Sequence, residues 1–384
     1  LRSLLDDIRR TYVTRVVPES VSSAFQVVDF DTVLEEAADA TLADFEALLA
    51  QVRPQTEAPP LYFSHLFLPH APWRFLPSGA TYPFRGTDGW DGTTDFWRND
   101  PRLVLQGRQR HLLQLVYTDA LVGRLLSKLE EVGLYERALI VVTAVHGVSF
   151  VPGAARRRPV TAENVADLAN VPLFVKYPGR RDGRIDDRGA SVIDVLPTIA
   201  DVLGVSLPWQ LDGRSLLTDG SDRAEVVVRQ SGGDPVEVPL TVVEAQRAET
   251  VRRQSAAFGE GQDSLYRVGR YEHLVGRRVD SGGSQDGDSR ARLDQPSVYA
   301  AVDKSSGHVP ARVSGTIEGR TLPARTELAV VVNGRVAGLA IVFDDYGRQR
   351  FSALVPESSF EDGANEVEVF AISTSGSEFT LVRL

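Results

Sequence analysis

Two histidines draw attention because each follows an apolar run and precedes a chain reversal. His70 closes LYFSHLFLPH, and His146 closes ALIVVTAVH immediately before Gly147. Residues 61–68 read as a buried strand that Pro69 ends by withdrawing a ladder donor. Residues 138–143 form a continuous apolar run rich in β-branched side chains. That composition suits a central strand of a parallel sheet covered on both faces. Ligands of open α/β sheets gather outside the carboxyl ends of the strands. If both runs are parallel members of one sheet, the two histidines share a rim, and chemistry is expected there. The loop PGAARRRP, residues 152–159, follows closely; its arginines suit an anionic substrate, although a solvated loop has the same composition. His65, inside the first run, reads as a core histidine, and His70 reads equally well as an ordinary turn residue.

The elements that would position these groups follow from the spacing of apolar residues. Leu112, Leu115, Val122, Leu125, Leu129 and Val132 stripe one face of a helix, while Arg124, Lys128 and Glu131 keep another face wet. Gly133 is the stop. Helical spacing also marks residues 1–17, ended by Pro18, and residues 32–52. Residues 54–60 read as a linker. Residues 75–100, rich in Gly, Pro, Trp and Asp, predict a long loop that lines a pocket or covers a sheet edge. Residues 171–176 predict a further strand. Residues 194–203 predict a helix with Asp194 near its cap, Pro197 in its first turn and Gly204 just past its end.

Composition sets outer limits. The 384 residues suffice for two or three domains, and 42% hydrophobic with 24% charged residues is ordinary for a soluble globular protein. A formal net charge of −10 argues against nucleic acid as the main partner. Positive charge is carried almost wholly by arginine, since the lysines are Lys128, Lys176 and Lys304. Absence of cysteine excludes disulfides, thiolate metal sites and a cysteine nucleophile. No run is long and apolar enough to span a membrane, and the first 18 residues are too charged for a signal peptide. Leu1 is not an initiator methionine and the chain holds no methionine, so a fragment is expected.

Beyond Asp219 the pattern changes. A Gly-Gly-Asp-Pro turn sits within residues 221–239, a helical segment within 241–258, and a polar low-complexity linker at 281–294. The remainder is β: residues 328–332 and 336–343 flank Asn333-Gly334, a strong hairpin signal. Strands at 351–355 and 366–372 follow, with Asp362-Gly363 in a turn. A small antiparallel sandwich or sheet is expected.

Three blocks together carry a family resemblance. HLFLPHAPW holds a strand ending in a His-x-Pro-aromatic turn. YTDALVGRLLSKLEEVGLYERALIVVTAVHG holds a helix, a strand and a His-Gly turn. VPLFVKYPG is followed by SVIDVLPTIADVLGV and LDGRSLL, with an Asp-x-x-Pro-Thr helix and an Asp-Gly-x-Ser-Leu ending. In order and spacing these resemble the sulfatase branch of the alkaline-phosphatase superfamily, most closely its membrane-anchored bacterial members, over about residues 60–217. The resemblance implies an α/β fold, a mostly parallel sheet flanked by helices, to which the β-rich tail adds a small C-terminal antiparallel β domain. It implies a sulfatase-like domain over 1–219, and the residue pattern beyond it marks a connector over 220–294 and a β-rich accessory domain over 295–384.

The family hydrolyses or transfers sulfate or phosphate esters with a divalent metal, Ca, Mn or Mg, and a hydroxyl or formylglycine nucleophile. By resemblance His146 is a metal ligand and His70 contacts the substrate. The family's metal-binding aspartate falls at Val145, which cannot hold a hard cation. The strand and helix that carry the family's nucleophile have no match between Leu1 and Pro60, so no catalytic residue is assigned and no turnover is expected from the chain as it stands. The substrate implied is an anionic envelope or extracellular polymer, or a small ester. The setting implied is the extracellular side of the cell membrane, with attachment through segments outside this chain. The alternative is a non-catalytic binding or scaffolding domain of the cell envelope derived from the same fold.

Overall fold

The computed structural model describes residues 30–54, 60–83, 89, 96–218, 223–230, 234–279, 288–375 and 378–384. The chain divides into two compact units, Leu1–Pro72 and Trp73–Leu384.

In the first unit, helix α1 (Phe30–Gln51) falls where periodicity predicts one. Thr41, Phe45 and Val52 are buried at helical spacing. The helix expected over residues 1–17 lies outside the described residues. The run 61–68 departs from expectation: it pairs with no other strand among the described residues, and Leu61 and Phe63 are 83% and 82% exposed. An apolar run becomes a buried strand only when a ladder and a covering layer meet it, and the described residues supply neither. His65 is consequently exposed, not a core histidine, and its ring stacks on Phe67 with centroids 5.8 Å apart.

The second unit is organised by helix α2 (Pro101–Glu131). It starts about ten residues earlier than the apolar stripe suggests. The signal is Asp100-Pro101: the Asp100 carboxylate accepts from the Arg102 amide at 2.9 Å, and proline at the first helical position has no amide to orphan. The buried face carries Leu103, Val104, Leu112, Leu113, Leu121 and Leu129, whereas Leu115 is 41% exposed.

After α2 come strand β1 (Ile140–Thr143), the short helix α3 (Val165–Ala169) and strand β2 (Leu173–Lys176). β1 and β2 pair antiparallel, Ile140 opposite Lys176 and Thr143 opposite Leu173. The parallel sheet expected around this run is not seen among the described residues. Lys176 reaches back and donates to the carbonyls of Tyr135, Glu136 and Ala138, tying the strand pair to the turn after α2. Helix α4 (Val195–Leu203) ends at Gly204, whose φ of 64° is left-handed, as a glycine stop requires.

Strands β3 (Glu225–Val228) and β4 (Val236–Pro239) form an antiparallel pair around the Gly-Gly-Asp-Pro stretch and lead into helix α5 (Leu240–Phe258). The C-terminal part is an antiparallel sandwich. One sheet orders β5 (Ser289–Leu293), β6 (Arg312–Gly319), β10 (Arg348–Leu354) and β9 (Phe343–Asp345). The other orders β12 (Glu378–Arg383), β11 (Val367–Ser375), β7 (Glu327–Val332) and β8 (Arg335–Ile341). Asn333 and Gly334 turn β7 into β8 with φ of 51° and 74°, the positive values that a two-residue hairpin of this hand requires.

One hydrophobic core joins α2 to this sandwich: Leu76, Tyr82, Leu112 and Leu113 pack with Val313, Leu328, Val330 and Phe351. The glycine-rich loop therefore does more than cover an edge, since its described parts enter the core. The seam is also polar. Buried Gln114 accepts from the amides of Arg74 and Phe75 at 2.9 and 3.2 Å, Gln109 donates to Leu265 O and Gln106 to Ser352 O, both at 2.7 Å. Each glutamine satisfies a backbone group that neither helix nor ladder can reach. His111 lies against Trp73 and Phe150, with centroids 5.7 and 5.5 Å away. Loss of hydration there, with the Arg108 cation, pushes its imidazole down to about 4.

Gln114→Ala would remove the acceptor of the buried Phe75 amide and the half-buried Arg74 amide and is expected to cost roughly 1–3 kcal/mol in chemical denaturation, whereas a surface substitution such as Arg124→Ala should cost little. For His111 the folded state resists protonation, so the unfolded chain binds the extra proton between the ordinary imidazole value and about 4. Stability therefore falls as pH drops through that window. His111→Phe should flatten this part of the melting-temperature profile relative to wild type; an unchanged profile would count against a neutral imidazole at this half-buried position.

Candidate active-site rim at the end of strand β1

The His146-Gly147 turn is fixed by backbone geometry. Gly147 N donates to Leu168 O at 2.8 Å, which fastens the end of β1 to α3. A Cβ on Gly147 would lie 2.0 Å from Asp167 O, so no other residue fits without moving that helix. His146 is exposed, and its Nδ1 lies 2.8 Å from Gly147 O. A carbonyl only accepts, so Nδ1 carries the proton and the lone pair of the neutral ring sits on Nε2. His70 repeats this pattern in the first unit, with Nδ1 2.5 Å from Ala71 O, in an exposed turn between two cis X-Pro bonds. Each histidine is described within its own unit, so the shared rim expected from strand polarity stays an expectation.

The segment after His146 is anchored to the same scaffold. Ser149 N donates to Arg156 O at 2.9 Å, and Ser149 Oγ donates to Asp167 at 3.0 Å. Trp97 Nε1 donates to Ser149 O at 2.7 Å, and the Arg156 guanidinium lies over the Trp97 ring, 6.0 Å from its centroid. Of the three successive arginines, Arg158 is exposed while Arg156 and Arg157 are half-buried. The basic loop is thus partly structural.

Asp194, in the Asp-x-x-Pro-Thr segment, is a structural carboxylate. It is 1% exposed and accepts from the amides of Ser191 and Arg214 at 2.8 and 3.0 Å and from the Arg223 guanidinium. Burial pushes its carboxyl up, but the Arg223 bond and the two amides outweigh this and hold it below its ordinary value. Thr198 Oγ1 accepts from Leu216 N at 2.9 Å. A Cβ on Gly213 would meet Ile193 O at 2.0 Å. The Asp-x-x-Pro-Thr helix and the Asp-Gly-x-Ser-Leu ending are therefore two halves of one clasp. Sequence could show their order, but not that one binds the other.

The resemblance implies a divalent metal ion, and the donors around His146 among the described residues do not fit one. Val145, beside His146, is 75% exposed and offers no oxygen. Among the described residues no three His, Asp or Glu side chains converge on a point where a metal could sit. Among the described residues no helix is long and apolar enough to cross a membrane.

Gly147→Ala forces its methyl into Asp167 O and is expected to destabilise the protein by about 1–3 kcal/mol. Denaturation measures the cost, and the His146 ring resonances should shift in the NMR spectrum. A variant with neither change would mean that the turn is looser than its contacts indicate.

Residues 10–205, about half of the chain, match the family described as Sulfatase. Arylsulfatase K of Bos taurus is 29% identical over 106 residues, covering 27% of this chain and 19% of that protein. An endo-4-O-sulfatase of Bacteroides thetaiotaomicron is 27% identical, covering 30% and 22%. The multifunctional alkaline phosphatase superfamily protein PehA of Trinickia caryophylli is 32% identical, covering 35% and 25%. The chain thus spans about a fifth to a quarter of the length of these relatives. With the three blocks in order and a family match across half its length, the chain belongs to the sulfatase family, whose members hydrolyse sulfate or phosphate esters.

Proposed function

We propose that this chain contributes the rim of a site for sulfate or phosphate esters on anionic substrates, and that these 384 residues alone do not turn the ester over. The observation that carries the reading is the turn at the end of β1: a histidine held with its lone pair on Nε2, preceded by an exposed valine. His146 is suited to accept a hydrogen bond from a ligand hydroxyl or, once protonated, to donate one to an ester oxygen. His70, in the first unit, has by itself a ring suited to a contact of this kind. Arg158 adds a solvated positive charge that favours an anion. The bacterial relative's name, endo-4-O-sulfatase, supports a sulfate ester as the group handled. Val145 puts no side-chain oxygen beside His146 for a hard cation. That same residue favours a second reading, a non-catalytic binding or scaffolding role in the cell envelope.

The test uses the full chain with 4-nitrophenyl sulfate and 4-nitrophenyl phosphate, each with Ca or Mn ions. Release of nitrophenol should equal the uncatalysed rate. Val145→Asp should tighten Mn binding by about tenfold in calorimetry, the effect expected of one added carboxylate ligand beside an imidazole. His146→Ala in that background should abolish the gain. Turnover by the wild-type chain that disappears in His146→Ala would sink the claim of inactivity.

A further inference from the structure

Two hairpins of the sandwich turn through two residues each, and they use those residues differently. Asn333-Gly334 joins β7 to β8 with φ of 51° and 74°. Tyr346-Gly347 joins β9 to β10 with φ of 52° and 79°, and Asp345 pairs with Arg348 across the turn. Such turns favour Asn, Asp or Gly at the first position, because a left-handed backbone crowds a larger side chain. Asn333 also serves the fold, since its amide donates to Asn365 Oδ1 at 2.8 Å and to Ser359 O at 3.2 Å. Tyr346 buries almost nothing. It is 88% exposed, the one large hydrophobic residue exposed across 288–384 among the described residues.

Contact with Arg98 does not account for the choice of tyrosine. The Arg98 guanidinium lies 5.7 Å from the ring centroid, but it already donates to Asp344 O at 3.1 Å and pairs with the Asp345 carboxylate. Asp344 in turn accepts from Gly347 N at 3.2 Å. The hairpin tip is therefore fastened without the ring. Arg98 instead attends one side of the ring and leaves the rest to solvent. A bulky residue kept at a strained and exposed position calls for a function beyond the fold.

The surroundings select the occupant. No second large apolar side chain is exposed on the sandwich among the described residues, so the ring belongs to no patch of the size that a protein or membrane contact needs. Asp344 and Arg348, two residues before and after it, stand exposed and offer an acceptor and donors. One ring-sized apolar contact rimmed by hydrogen-bonding groups matches a pyranose, which carries C–H bonds on its face and hydroxyls around its edge. We propose that Tyr346 is the stacking platform of a glycan-binding site on the β sandwich, with Asp344 and Arg348 bonding the sugar hydroxyls. The site adjoins the loop of residues 152–159, whose Gly153 amide donates to Arg98 O at 3.3 Å. A glycan held there lies beside the segment that follows His146, but the inference does not rest on the ester reading.

The test applies the full 384-residue chain to a printed array of neutral and sulfated oligosaccharides and measures its affinity for those that it binds. Tyr346→Asn is expected to weaken that binding about tenfold, the size of one aromatic contact. Its melting temperature should stay level or rise, because asparagine suits the turn. The loss should persist at high salt, since stacking is not screened, and Tyr346→Trp should keep the binding. The proposal is overturned if the array binds nothing, or if Tyr346→Asn binds as wild type does. A lower melting temperature in Tyr346→Asn would overturn it too, by showing that the ring serves the turn. Binding to phosphatidylglycerol vesicles in place of glycans, lost in Tyr346→Asn, would assign the ring to a membrane surface instead.

Discussion

The structure depends on how the backbone is satisfied where helix α2 meets the sandwich. A helix face that packed there with leucines alone would remove the side-chain partners of the amides of Arg74 and Phe75 and of the carbonyls of Leu265 and Ser352. Gln114, Gln109 and Gln106 reach across and pair with them. An unpaired buried amide costs more than a typical formed bond returns, so these side chains fix where the helix sits and not merely how tightly. Leu112 and Leu113 then enter a core whose other members come from residues 309–371. A helix inside the family-matched segment and the β tail beyond it are one packing problem.

From that fixed helix the rest of the second unit follows by short ties. Lys176 binds the carbonyls at the turn after α2 and so places β2. β2 places β1 through its register, and Gly147 binds the end of β1 to α3. His146 is thus held at the end of a chain of contacts that starts at the sandwich. The family's motifs divide by this criterion. Asp194, Thr198 and Gly213 close a clasp and face no ligand, while His146 stands in solvent with its tautomer set by its own backbone. Motif membership alone does not separate these two roles; burial does.

Much of the local structure was legible in the sequence, for identifiable reasons. Apolar spacing gave α1 nearly to the residue, a helical segment was read within 241–258 where α5 lies, and Gly204 past α4 and Asn333-Gly334 between β7 and β8 are positions where positive φ leaves few residue choices. Asp100-Pro101 carried an equally physical signal for the start of α2, but the apolar stripe drew attention ten residues downstream. The run 61–68 misled in the opposite sense. Its composition is that of a buried strand, yet Leu61, Phe63 and Phe67 are exposed, because composition reports what a segment could bury and not what is present to bury it.

The sequence by itself therefore determined most of the helices, the Asn333-Gly334 hairpin and the placing of His146 just past the end of β1, since these depend on residue type and short-range spacing. Tertiary structure alone decided which polar residues serve the fold. Nothing local to Gln114 announces that it will accept two amides from residues 74 and 75, and nothing local to Asp194 announces Arg223. Partners forty and twenty-nine residues away are chosen by the path of the chain, and a buried polar group takes whichever partner that path brings within hydrogen-bonding distance.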